Sequence, residues 1–148
     1  MTRIRRILLA SDFSRASRKA YAAAISLAKS NRARLTILYA YLPIVPLVPG
    51  HYIDDSTWAE LDTDSRGWVQ RRLTALATRA KKSGVRASVT MVIGDPPSQI
   101  ARIARSSRTD LIVMGTHGRK VMSKFFLGSV AERVIATAPC PVMTVRGR

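Results

Sequence analysis

Three glycines and a serine stand at a distinctive spacing late in the chain: Gly115-x2-Gly118-x9-Gly128-Ser129. Glycine has no Cβ, so backbone N–H groups beside it can close on an anion. A helical pattern opens at Ser129-Val130-Ala131-Glu132 with the spacing of a capping box. A helix start adds partial positive charge. Arg119 and Lys120 lie within the span. Together these groups suit a nucleotide polyphosphate. Isolated glycines would read more simply as a left-handed turn and a self-capped helix. Three of them directly after a buried strand favour anion binding. The spacing is neither a Walker A loop nor the Gly-x-Gly-x-x-Gly of dinucleotide folds.

A second group of reactive side chains, Ser11-Asp12, follows the apolar run from Ile7 to Ala10. Asp12 is the acid that the sequence can place near a phosphate-binding cleft. Hydrolysis needs a positioned water and stabilisation of developing charge. Nothing in the sequence orients His117 as a base, and a loop residue touching phosphate or solvent is its simpler reading. The expectation is nucleotide binding with slow hydrolysis at most and no assigned catalytic residue. The single cysteine, Cys140, excludes an intrachain disulfide and leaves no cysteine cluster for zinc.

The elements that must position these residues are legible. Short apolar or alternating runs predict strands at Ile7–Ala10, Leu35–Tyr41, Arg86–Ile93, Leu111–Met114 and Pro141–Val145. Between them lie helical patterns. The first carries a stripe of Ala16, Ala20, Ala23, Ala24, Leu27 and Ala28, capped by Ser14 or Ser17. Its small side chains allow a close approach to whatever it covers. The second runs from about Thr57 to Ser83 and ends at Gly84. Pro97 fits the first turn of the third, and the fourth stops before Pro139. Trp58, Trp68, Tyr21, Met91, Met114 and Met143 read as core or near-core. The alternation of strand and helix argues for a parallel sheet with helices on both faces. Such sheets bind ligands at the carboxyl ends of their strands, where strand order reverses.

The chain has 148 residues and 16.3 kDa, fitting one domain over residues 1–148. Chains of this size bury roughly 70% of their unfolded surface, so no metal or disulfide staple is needed. An apolar fraction of 47% and mean hydropathy of +0.02 exclude long disorder and fibrous classes. No run of about 18 uncharged apolar residues is present. The apolar part of the N-terminal segment is too short for a secretory signal. The expected setting is cytoplasmic.

As a set these motifs resemble the universal stress protein (UspA-like) family, whose ATP-binding branch carries G-2x-G-9x-G-[ST]. The resemblance also covers ILLASDFS at 7–14, LTILYAY at 35–41, IGDPPSQI at 93–100, DLIVMGTHG at 110–118 and GSVAERVIATAPCPVMTV at 128–145. It implies a three-layer α/β fold with a five-stranded parallel sheet in order 3-2-1-4-5. That fold is adenine-nucleotide alpha-hydrolase-like, or Rossmann-like. It implies ATP or another adenine nucleotide, with Mg²⁺ shared between phosphates and water. By position it assigns Ser11 and Asp12 to the adenosine end and the Ala40 main chain to adenine. Gly115, Gly118, Gly128 and Ser129 then cradle phosphates, with Val130 adding a main-chain contact. His117 and Arg119 sit at motif positions beside them. Ala10 departs from the proline found there in many members. The resemblance also implies a homodimer paired through the last strand, an exposed edge that needs covering.

The rival reading is a highly basic protein that binds nucleic acid or acidic partners, with nucleotide binding secondary. There are 25 basic and 9 acidic residues, a net charge of +16, and phosphate contacts dominate such affinity. Against it, Arg5, Arg18, Arg71, Arg102, Arg133 and Arg146 fall on different elements, with no recognition helix or stacking platform. A third reading is an interaction module that uses the proline-rich loop at 42–50 and the acids at 54–64 as a docking patch. The plainer alternatives are a lid over the adenine side of the cleft or simple disorder, and the sequence does not decide between them.

Overall fold

A computed structural model describes residues 3–43, 54–116 and 127–147. Five strands, β1 (Arg6–Ala10), β2 (Arg34–Tyr41), β3 (Arg86–Ile93), β4 (Leu111–Thr116) and β5 (Val142–Arg146), make one parallel sheet in the order β3-β2-β1-β4-β5. Helices α1 (Arg15–Asn31), α2 (Asp55–Lys82), α3 (Pro96–Ser106) and α4 (Ser129–Thr137) connect them.

Successive residues of a strand point to opposite faces, and here both faces are covered. Ile7 and Leu9 of β1, with Leu35, Ile37 and Val113, pack with Ala20 and Ala24 of α1 and Leu73 and Ala77 of α2. Leu8 and Ala10, with Leu38, Ile112 and Met114, pack with α3 and α4 through Ile100, Ala104, Ala131 and Val134. This two-sided burial is why the strands read as continuous apolar runs.

The alanine stripe of α1 does what its small side chains allow. Ala16, Ala20, Ala24 and Ala28 are buried. A Cβ placed on Gly115 would lie 2.6 Å from the carbonyl carbon of Ala16 and 2.8 Å from the Ser17 nitrogen. Helix and strand thus meet backbone to backbone.

Three expectations need correction. Helix α2 begins at Asp55 rather than Thr57, because Asp54 caps it and accepts the Thr57 N–H at 2.7 Å. Trp68 is 47% exposed, since it lies on the rim of α2 and not beneath it. Met143 is 40% exposed, because β5 is an edge strand. Met114, by contrast, is buried as expected.

Candidate functional site

The chain moves from β1 through α1 to β2 on one side, then crosses back through α3 to β4 on the other side of β1. Strand order therefore reverses between β1 and β4, the position at which open α/β sheets leave a crevice. A cavity of about 360 Å³ opens there, within the size range of small-molecule sites. Its lining includes Ser11, Asp12, Ala40, Gly115, Gly128, Ser129 and Val130. Residues far apart in sequence are thus brought to one cleft. His117, Gly118 and Arg119, also assigned from the sequence, lie outside the described residues, as do residues 44–50 of the proline-rich stretch.

The wall from β1 is a hydrogen-bonded turn. The Ser11 N–H donates to the Leu38 carbonyl at 2.9 Å, extending the β1–β2 pairing. The Ser17 hydroxyl donates to Asp12 Oδ1 at 2.6 Å and accepts the Asp12 N–H at 3.1 Å. The Ser14 N–H donates to the same Oδ1 at 2.9 Å. Ser14 in turn caps α1 by accepting the Ser17 N–H at 3.2 Å. Asp12 is therefore held at the cleft mouth by two serines. Sequence reading noticed Ser17 only as a possible cap. The recurrence of Asp12, Ser14 and Ser17 in one turn was the available signal.

Phe13 follows at φ 61, a left-handed conformation uncommon for a bulky residue. It is fixed by stacking on Tyr39 at 4.9 Å and 19°, by an edge contact with Trp68, and by the Arg72 guanidinium at 4.9 Å. Tyr39 and Tyr41 line the cavity and were not singled out from the sequence. Burial raises the pKa of the Tyr39 phenol above its ordinary value, and the charge of Asp12 adds to the shift. Tyr41 donates to Asp62 Oδ1 at 2.8 Å, and Asp62 pairs with Arg66 at the same distance. Asp54 and Asp62 of the acidic stretch thus have structural partners within the fold.

The opposite wall is the start of α4. The expected capping box at Ser129 is not formed. Gly128 is the N-cap: its carbonyl accepts the Glu132 N–H at 3.1 Å, and Ser129 is the first helical residue. The reason is the backbone at Gly128, φ 91 and ψ 142, a region close to one open essentially to glycine alone. A Cβ there would meet nothing within 4 Å, so the requirement is conformational and not spatial. The consequence is electrostatic. Ser14, Asp54 and Asp95 cap α1, α2 and α3 with side-chain oxygens, whereas α4 has no side-chain cap. Gly128, Ser129 and Val130 of this first turn line the cavity, so the partial positive end of the helix borders it.

Asp95 is spoken for at α3. It accepts from the Ser98 hydroxyl at 2.6 Å and from Arg133 at 3.0 Å, and these bonds, the serine first, hold its carboxyl below the usual range. Among the described residues no group of three His, Cys, Asp or Glu side chains is arranged to hold a metal ion.

The family model described as the universal stress protein family matches residues 3–146. The chain belongs to that family. A universal stress protein of Thermus aquaticus is 34% identical over 141 residues, covering 95% of this chain and 97% of that one. A solved universal stress protein in complex with cAMP has a TM-score of 0.75 at 22% identity, covering 99% of this chain and 100% of that one. The universal stress protein of Archaeoglobus fulgidus in complex with dAMP has a TM-score of 0.66 at 19% identity, covering 97% and 99%. At such identities the likeness is one of fold. No helix among the described residues of this universal stress protein is long and apolar enough to cross a membrane.

Proposed function

We propose that the cleft between β1 and β4 binds ATP, and that this universal stress protein acts as a nucleotide-dependent regulator of a stress response. The observation that carries the reading is the uncapped start of α4 behind Gly128, opening on the same cavity as Ser11 and Asp12. The cAMP and dAMP complexes of the two structural relatives favour an adenine nucleotide. Adenosine would lie against the Ala40 main chain and Asp12, with phosphates at the amides of Gly128, Ser129 and Val130. Gly118, His117 and Arg119 belong to the same cradle by motif. Mg²⁺ would take its oxygens from phosphates and water, as it commonly does.

Turnover is expected to be slow or nil. Asp12 Oδ1 is engaged by Ser14 and Ser17, and its adenosine-end position is far from a terminal phosphate. Equilibrium titration tests the binding reading. ATP is expected to bind at least tenfold tighter than AMP, because hydrogen bonds to charged groups contribute about 1.5–3 kcal/mol each. Absence of saturable binding by any adenine nucleotide would refute it.

The exposed edge formed by β5 is the proposed homodimer seam. The Pro141 carbonyl accepts from Ile112, so by strand alternation the Val142 and Thr144 amides point outward. Thr144→Pro removes one outward donor while leaving the β4 ladder intact. It is expected to convert dimer to monomer in light scattering, and an unchanged mass would place the seam elsewhere. A nucleic-acid role concerns the opposite end of the sheet.

A further inference from the structure

The sequence scatters its arginines, but a parallel sheet starts all its strands at one end. Arg6 lies opposite Arg34 in the β1–β2 register, and Arg34 lies opposite Arg86 in the β2–β3 register. Three guanidinium-bearing positions therefore form a row at the amino-terminal pole, with neighbouring strands about 4.8 Å apart. Arg3, Arg5 and Arg32 join them around a groove of about 690 Å³, completed by Asn31 and Ser107. All six arginines are exposed. Arg32 at φ 52 and Arg108 at φ 50 occupy left-handed turns after α1 and α3. Glycine or asparagine fits such turns with less strain.

Little at this pole neutralises that charge. Asp110 uses Oδ2 to accept the Arg5 and Arg6 amides, each at 2.8 Å. Among the described residues no ion pair engages the six guanidinium groups. Arg6 donates to the Ser107 carbonyl and Arg86 to the Arg32 carbonyl, each through one nitrogen. The carboxyl ends of α1, α2 and α3 point this way with roughly −0.5 charge each. With Asp110 they offset about 2.5 of six positive charges.

The kind of partner follows from what the groove contains. It is lined by arginine and no lysine, and arginine forks match phosphate oxygens. No aromatic side chain lines it, so it lacks the stacking platform that single strands use. No large apolar side chain lines it either, whereas protein interfaces need an apolar centre and membrane-surface elements an apolar face. A polar, strongly cationic and open surface is what duplex nucleic acid meets. We propose that the amino-terminal pole, through Arg3, Arg5, Arg6, Arg32, Arg34 and Arg86, binds the phosphate backbone of double-stranded nucleic acid without reading its sequence. This surface is at the other end of the strands from the nucleotide cleft, so it stands or falls independently of ATP binding.

The test is fluorescence anisotropy of a mixed-sequence DNA duplex across a salt series. One variant carries Arg3→Ser, Arg5→Ser, Arg34→Ser and Arg86→Ser. A charge-matched control carries Arg15→Ser, Lys19→Ser, Arg71→Ser and Arg102→Ser, all exposed and on other surfaces. The slope of log K against log salt scales as about 0.9 per phosphate contact. The pole variant is expected to flatten it by about 3.6, with the control close to wild type. Equal losses in both variants would reduce the effect to net charge and overturn the proposal. So would an unchanged pole variant, or a wild-type protein that fails to bind the duplex at low salt. Loss of binding to phosphatidylserine vesicles with duplex binding intact would also overturn it, in favour of a lipid surface. Circular dichroism checks folding. Should the fourfold variant not fold, Arg5→Ser with Arg34→Ser carries the same test with a flattening of about 1.8.

Discussion

Gly115→Ala is expected to destabilise the protein by about 1–3 kcal/mol or more, the usual range for overpacking a close-packed site. The added methyl would stand 2.6 Å from the Ala16 carbonyl carbon, 2.8 Å from its Cβ and 2.8 Å from the Ser17 nitrogen. Two of those three atoms are backbone, so no side-chain rotation relieves the clash. The helix must lift from β4 instead. Gly147, whose own Cβ would lie 3.0 Å from the Ala16 Cβ, admits the same turn of α1 from the neighbouring strand end. Lifting this turn also moves Ser17 and, through it, Asp12. Thermal unfolding should drop by roughly 2–4 °C per kcal/mol for a chain of this size. Urea unfolding is expected to show a lower midpoint with an unchanged slope. An unaltered midpoint would mean that α1 and β4 are not in backbone contact.

Gly128→Val is expected to act on binding far more than on packing. A Cβ at Gly128 meets open space, yet the residue sits at φ 91, where a β-branched side chain is strained. Such strain is of order 1–3 kcal/mol. The chain can relieve it by rotating the peptide that leads into α4, which swings the first-turn amides away from the cavity. ATP affinity should fall by about tenfold to a hundredfold, at 1.4 kcal/mol per factor of ten. AMP affinity should change much less, because adenosine contacts lie across the cleft. Equal losses for ATP and AMP would show that α4 does not serve the distal phosphates. The two glycines thus separate experimentally: one is required for space, the other for conformation.

Much of this arrangement was legible in the residues. Buried parallel strands announce themselves as apolar runs, and Gly84, Pro97 and Pro139 mark helix ends through backbone constraints alone. The glycine spacing pointed to the α4 start, and Ser11-Asp12 to the end of β1. What stayed hidden depends on neighbours distant in sequence. Local pattern made Ser129 a cap, but the tertiary path through Gly128 moved the cap by one residue and left the helix start without a side-chain cap. Ser17 looked like a helix cap until the turn folded it onto Asp12. Trp68 has helical spacing suited to a core, yet stands at the edge of α2 against Phe13 and Arg72. The arginine pole is the clearest case. Arg6, Arg34 and Arg86 are far apart along the chain and adjacent only through strand register.

A crystal structure grown with saturating ATP and Mg²⁺ tests the phosphate-cradle claim most directly. Density for the phosphate chain is expected against the amides of Gly128, Ser129 and Val130, with adenine beside the Ala40 main chain and ribose toward Asp12. A cavity between β1 and β4 that holds only solvent, or nucleotide seated on another surface, would contradict it.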